Sequence, residues 1–167
     1  MIGAIDIRWS TRQDAAALAE VHNAAWRCAY AGIIPGIDLE RSITRHGRGW
    51  WERRLSGSAR YLILSFDGEI VGYAGFGPSP IYSKPPLGEI YELYLKPEYH
   101  GTGLGKALFR EARAHLRSYG FKQLIIWSLK ENEGGCRFYE ALGGKAKLRA
   151  NEPFGATRLE KIGYVWG

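Results

Sequence analysis

Apolar and polar positions recur along this chain with periods that identify its elements. The run IDIRW, 5 to 9, alternates and reads as a first strand. Ser10 or Thr11 then caps a helix, with Asp14 three places after Thr11 in the manner of a capping box. Ala15, Leu18, Ala19, His22, Ala25, Trp26 and Ala29 recur at three- and four-residue steps, which predicts a helix to about Tyr30 that stops near Gly32. A second helical stretch, 38 to 56, carries Trp50 and Trp51 and ends in SGS. YLILSF and EIVGYAGF flank Asp67-Gly68, the strongest short hairpin signal in the chain. After a proline-rich loop, 78 to 87, the pattern predicts a strand from Glu89 to Leu95, a glycine-containing turn and a helix to about Tyr119. A strand QLIIWSL (123 to 129), a short helix near 133 to 142 and a last hairpin ending LEKIGYVW complete the order.

This order makes a mixed α/β sheet, and without an internal repeat or a dividing linker it predicts one domain over 1 to 167. Composition narrows the class: 46% hydrophobic and 24% charged residues exclude a disordered chain, and apolar runs such as LIIW are far too short to cross a bilayer. No charged-then-apolar leader opens the sequence. Cys28 and Cys136 are the two cysteines, and with no C-x-x-C pair neither a disulfide framework nor a zinc site is expected. The expectation is a cytoplasmic protein that needs no metal. The net charge of +6 raises nucleic acid as a partner. Most Lys and Arg are scattered, however, while Lys106, Arg110, Arg113 and Arg117 sit at helical spacing behind the glycine turn, which favours a polyphosphate ligand over a duplex.

That turn lies in YLKPEYHGTGLGKALF, 94 to 109. A P-loop needs a glycine five before Gly105 and Ser or Thr after Lys106, but His100 and Ala107 stand there. A dinucleotide fingerprint needs its third glycine one place later. What remains is a G-x-G-x-G turn opening a helix, whose first N–H groups lack intrahelical acceptors and whose dipole favours an anion. A pyrophosphate fits without a metal.

YLKPEYHGTGLGKAL, followed 27 residues after Gly105 by Asn132 and then by CRFYEALGG, resembles the acetyl-CoA-binding signature of the GNAT superfamily of N-acetyltransferases. AEVHNAAWRCAYAGIIP is similar to the first helix and following loop of bacterial members, and IWSLKEN to their fifth strand, so the resemblance covers nearly the whole chain. It implies a mostly antiparallel sheet of about six to seven strands with about four helices on both faces, and acetyl-CoA as cosubstrate. It also implies cofactor contacts from Leu93, Tyr94, Leu95, His100, Gly101, Thr102, Gly103, Leu104, Gly105, Lys106 and Asn132. A backbone N–H near Leu95 would meet the developing oxyanion. Two positions depart from the family: His100 stands where Gln or Arg is usual, and Gly144 replaces the common aromatic after Leu-Gly.

Acetylating an amine requires its neutral form, and an alkyl amine has a pKa of about 10, so a proton must be removed. Glu89 and Glu92 on GEIYELYL are the candidate bases; alternation puts them on opposite faces unless a bulge intervenes. The resemblance implies such a bulge and leans towards Glu89; the plain alternative is a carboxylate that pairs an arginine. The resemblance also makes Tyr139 the acid that protonates the departing sulfur, against an ordinary core aromatic beside Phe138 and Leu142. Asn132 reads as a helix N-cap that can also bond the pantetheine arm. Trp26, Arg27 and Tyr30 are candidate walls of an acceptor pocket. The expected activity is direct transfer in a ternary complex to a small-molecule or peptide amine, with homodimerisation left open; the other reading is a catalytically silent acyl-CoA-binding module.

Overall fold

The computed structural model describes residues 3–167. Strand β1 (Ile5–Trp9) leads through a single 3-10 turn, Arg12–Asp14, into α1 (Ala15–Tyr30). Thr11 N–H donates to the Asp14 carboxylate at 2.7 Å, and Arg8 pairs with the same carboxylate at 2.9 Å, so the turn is tied to β1. Then follow α2 (Gly36–Arg45), α3 (Arg48–Ser56), β2 (Leu62–Phe66) and β3 (Glu69–Pro78). Next come β4 (Leu87–Leu95), α4 (Leu104–Ser118), β5 (Gln123–Leu129), α5 (Glu133–Ala141), β6 (Lys145–Phe154) and β7 (Thr157–Trp166). The Asp67-Gly68 turn has φ of 50° and 85°, both in the left-handed region that a tight hairpin requires.

The predicted helix over 38 to 56 divides in two, which raises the helix count to five among the described residues. His46 leaves the helical region and Gly47 is extended, with ψ near 180°. The two halves serve different cores: Leu39 and Ile43 of α2 pack with Ile34 and Leu129, whereas Trp51 of α3 is fully buried with Leu18, Tyr61 and Tyr73. Burying such a side chain contributes roughly 1.5–3 kcal/mol. That outweighs a helical hydrogen bond lost at the break, worth roughly 0.5–1.5 kcal/mol.

One seven-stranded sheet runs in the order β1-β2-β3-β4-β5-β7-β6. Every pairing is antiparallel except β4–β5, and that parallel step is the one bridged by a helix, α4. Central strands are buried on both faces: Leu62 and Leu64 pack towards α4 while Tyr61 and Ile63 pack towards α1 and α3. Two irregularities open the sheet. Ile90 pairs with Phe76 and Glu92 with Gly75, so Tyr91 is an extra residue, a bulge in β4. The pairing of β4 with β5 ends at Glu89–Ile125, although the strands continue to Leu95 and Leu129. Beyond that point they part, and a cleft begins.

Candidate functional site

The cleft, about 1070 Å³, lies between the parted strands, with α1 on one side and the starts of α4 and α5 at its end. Gly101 and Gly103 have φ of 73° and 85°, a conformation glycine adopts without a Cβ penalty. A Cβ added at either would meet no protein atom within 4 Å, so the turn keeps open space in front of it. Thr102 Oγ1 donates to Tyr99 O at 2.5 Å and fixes the turn from below. Among the first N–H groups of α4, that of Leu104 reaches Thr102 Oγ1 at 3.4 Å and that of Ala107 bonds Gly103 O at 3.1 Å. Those of Gly105 and Lys106 have no acceptor among the described residues and face the direction in which a helix favours an anion. Gly105 serves packing instead: a Cβ there would lie 3.1 Å from Phe138 and 3.3 Å from Leu95, which holds α4 against α5 and β4. Of the four basic residues on α4, Lys106 lines the cleft. Open space, free donors and a flanking cation fit the pyrophosphate of acetyl-CoA.

Strand parity supplies further donors. Lys96 N–H donates to Val71 O of β3 at 2.8 Å, so the N–H groups of Leu93 and Leu95 point the other way, into the gap where β5 has withdrawn. At the far wall Asn132 caps α5 by accepting from Gly135 N–H at 3.2 Å while also lining the cleft. Gly135 is required there, because a Cβ would come within 2.7 Å of Asn132 Nδ2. His100 lines the cleft beside Gly101 and is exposed.

The bulge at Tyr91 settles the facing of the two glutamates. Glu89 pairs with Gly77 and Glu92 with Gly75, two apart on β3, so both carboxylates lie on the α1 face. Their surroundings differ. Glu89 accepts from Ser79 Oγ at 2.9 Å, its carboxyl pushed up by burial, and it is absent from the cleft lining. Glu92 lines the cleft among Tyr30, Tyr61, Tyr73 and Tyr94, and burial pushes its carboxyl up to about 7 against the opposing pull of Arg54. Gly75 makes the room: a Cβ there would meet Tyr61 at 2.8 Å and Glu92 Oε2 at 3.6 Å.

A raised folded-state pKa has a signature in stability. Relative to an unfolded value near 4.5, the neutral Glu92 carboxyl is favoured by the fold. Its contribution is therefore complete below pH 4.5 and lost as pH rises through about 7. Thermal unfolding of Glu92→Gln and wild type from pH 4 to 8 tests this. The variant gains relative to wild type as pH rises, by on the order of 1–3 kcal/mol, and a pH-independent difference refutes the shift.

Tyr139 lines the cleft and is 8% exposed, with rings of Phe138 at 5.2 Å and Trp166 at 6.1 Å holding it edge-on. Burial raises its phenol above the usual range, so it is protonated at neutral pH. The glycine at 144 is explained by the same packing, since a Cβ would lie 2.6 Å from the Trp166 indole. Trp166 fills the space that an aromatic at 144 would take, and its Nε1 donates to Leu142 O at 3.0 Å.

The three candidate wall residues separate. Tyr30 lines the cleft, its hydroxyl 3.3 Å from that of Tyr94. Trp26 turns aside to stack on His22 at 4.9 Å, and Arg27 pairs with Glu40 of α2 at 2.5 Å on the surface. Neither lines the cleft. His22 is fully buried with its pKa lowered to about 4 by burial, a neutral packed ring. Cys28, Ile33, Trp127 and Ser128 line the cleft without having stood out in sequence. For Ile33 the signal was available, because it closes the turn after α1, its N–H bonded to Tyr30 O at 3.0 Å.

No cluster of metal-ligating side chains and no helix long and apolar enough to cross a membrane occurs among the described residues. Residues 18–144 match the acetyltransferase (GNAT) family. The N-acetyltransferase YuaI of Bacillus subtilis (strain 168) is 29% identical over 164 residues, 97% of this chain and 92% of that protein. The L-amino acid N-acyltransferase MnaT of Escherichia coli (strain K12) is 25% identical over 142 residues, 83% of this chain and 78% of its own length. In fold the chain is similar to the PaiA N-acetyltransferase of Thermoplasma acidophilum, solved in complex with coenzyme A. The TM-score is 0.75 at 24% identity, covering 95% of this chain and 98% of that one.

Proposed function

The chain belongs to the GNAT acetyltransferase family, and from that premise we propose direct transfer of an acetyl group to a primary amine held on the α1 face of the cleft. Acetyl-CoA supplies the acetyl group as an activated thioester. The α4 turn, with free N–H groups at Gly105 and Lys106, would hold the pyrophosphate, and Asn132 the pantetheine arm. The N–H groups of Leu93 and Leu95 are donors for the carbonyl oxygen as its charge grows, because β4 holds them pointing into the gap and they need not reorganise. Glu92 takes the proton from the amine; a carboxyl raised to about 7 is a better match to neutral pH than an ordinary one. Tyr139 holds the proton for the sulfur. Glu89, bonded to Ser79 and outside the lining, has a structural part in this reading.

The observation that carries the proposal is that one cleft receives Glu92, Tyr139 and the donors of the α4 turn together. The test is initial-velocity kinetics of coenzyme A release with acetyl-CoA and amine varied. Intersecting lines are expected, and parallel lines would replace direct transfer by a covalent acetyl-enzyme.

A separate measurement isolates the turn. Coenzyme A raises the melting temperature of wild type by mass action. Gly103→Glu loses that shift, because its side chain and charge enter the open space at φ 85°. Gly103→Asn, which tolerates the left-handed region, controls for strain of about 1–2 kcal/mol. An unchanged shift in Gly103→Glu removes the turn from the site.

A further inference from the structure

The two sides of the cleft differ in charge, and that difference bears on the acceptor. Parity sorts the lining: Leu93, Leu95 and Ile126 pack towards α4, whereas Glu92, Tyr94 and Trp127 stand on the opposite face with α1. The basic lining residues, His100, Lys106 and Arg137, all belong to the turn before α4, to α4 and to α5. On the α1 side the lining is Ala25, Cys28, Ala29, Tyr30, Ile33, Tyr94 and Trp127 with the carboxyl of Glu92, and it includes no Lys, Arg or His among the described residues. Glu131, in the loop after β5, and Glu133, at the start of α5 and 3.8 Å from Arg137, also line the cleft.

Cations around this wall are engaged elsewhere and do not line it. Arg27 pairs with Glu40 at 2.5 Å, and Arg54 Nε donates to Tyr61 OH at 2.5 Å. Lys161 pairs with Glu152 at 2.8 Å and lies over the Trp127 ring at 4.7 Å. The outer side of the wall is closed: Phe154 and Leu159 of the β6–β7 hairpin pack with Ile34, Leu39 and Ile43.

Resting on the transfer reading above, we propose that the acceptor is a small primary amine with an apolar body and no carboxylate or phosphate, the kind of molecule left when an amino acid loses its carboxyl group. Its ammonium form is drawn to Glu92, and its body is buried against Tyr30, Ile33 and Trp127. A carboxylate on the carbon that bears the amine would sit beside Glu92 with no cation in the lining to receive it, since Arg54, whose charge is felt at Glu92, is bonded to Tyr61 outside the cleft. It would suffer both like-charge repulsion and desolvation. The transfer balances: the bound ammonium gives one proton to Glu92 and becomes the neutral amine, the thioester C–S bond breaks as the C–N bond forms, the nitrogen's second proton leaves to solvent as the amide forms, the sulfur gains its proton from Tyr139, and solvent reprotonates Tyr139 and takes the proton from Glu92.

Matched acceptors test this with the wild-type enzyme and saturating acetyl-CoA, reading coenzyme A release. Phenethylamine against L-phenylalanine, and isoamylamine against L-leucine, differ by the carboxylate alone. The amines are expected to have kcat/KM at least about 10²-fold higher. L-phenylalanine methyl ester, larger but without the negative charge, should recover most of the rate. Equal or faster turnover of the free amino acids overturns the inference, as does an ester no better than the acid, which would indicate size in place of charge. Activity confined to spermidine or to a peptide amine overturns it while leaving the transfer reading intact. No release with any amine sinks both.

Discussion

Replacing Tyr139 by phenylalanine lowers turnover by about 10²- to 10⁴-fold, the usual range for a lost general acid, or about 3 to 5 kcal/mol of barrier. The ring stays where Phe138, Tyr164 and Trp166 hold it. Burial is the dominant influence on the phenol, and no side-chain hydrogen bond contributes to its shift, so deleting the oxygen leaves no buried partner stranded. Coenzyme A affinity and melting temperature should therefore stay close to wild type. A thioester of a more acidic thiol should recover part of the loss, because its leaving group needs the proton less. Wild-type turnover in the variant, or a loss that follows weakened coenzyme A binding and ignores the leaving group, would make this tyrosine a packing residue.

Glu92→Gln is the second large effect. With Glu92 as base, the pH profile of kcat/KM carries a rising limb near pH 7, where the raised carboxyl ionises, in addition to the rise from free amine. The variant loses that limb and falls by about 10²-fold or more near neutrality, while coenzyme A still stabilises it. Glu89→Gln, which removes a carboxylate held by Ser79 outside the lining, should keep the limb. A loss of the limb in Glu89→Gln and not in Glu92→Gln would transfer the role to Glu89. Full activity in both across the pH range would mean that the amine sheds its proton to solvent.

Much of this site is readable from local chemistry. Gly101 and Gly103 need positive φ, and a G-x-G-x-G turn before a helix exposes donors whatever surrounds it. Asn132 caps α5 because the three residues that follow it place Gly135 N–H within reach. Trp50 and Trp51 fall in one predicted helix but belong to a separate one, since helical periodicity reports a face and is silent on whether two faces serve one core.

The order of elements, the Asp67-Gly68 hairpin, the anion-ready start of α4 and the family signature were all determined by the sequence alone. The first three depend on residues within a few positions of one another, through φ/ψ preference, capping and periodicity, and the signature on short motifs at fixed spacing. Tertiary structure alone decided that Glu92 lines the cleft while Glu89 turns to Ser79, that Trp26 and Arg27 leave the wall, and that Trp127 joins it. The physical reason is pairing at a distance. The bulge at Tyr91 exists only against Gly75 and Phe76 of β3, and the cleft exists only because β5 parts from β4 after Glu89. No window of β4 by itself records where its neighbours stop following it.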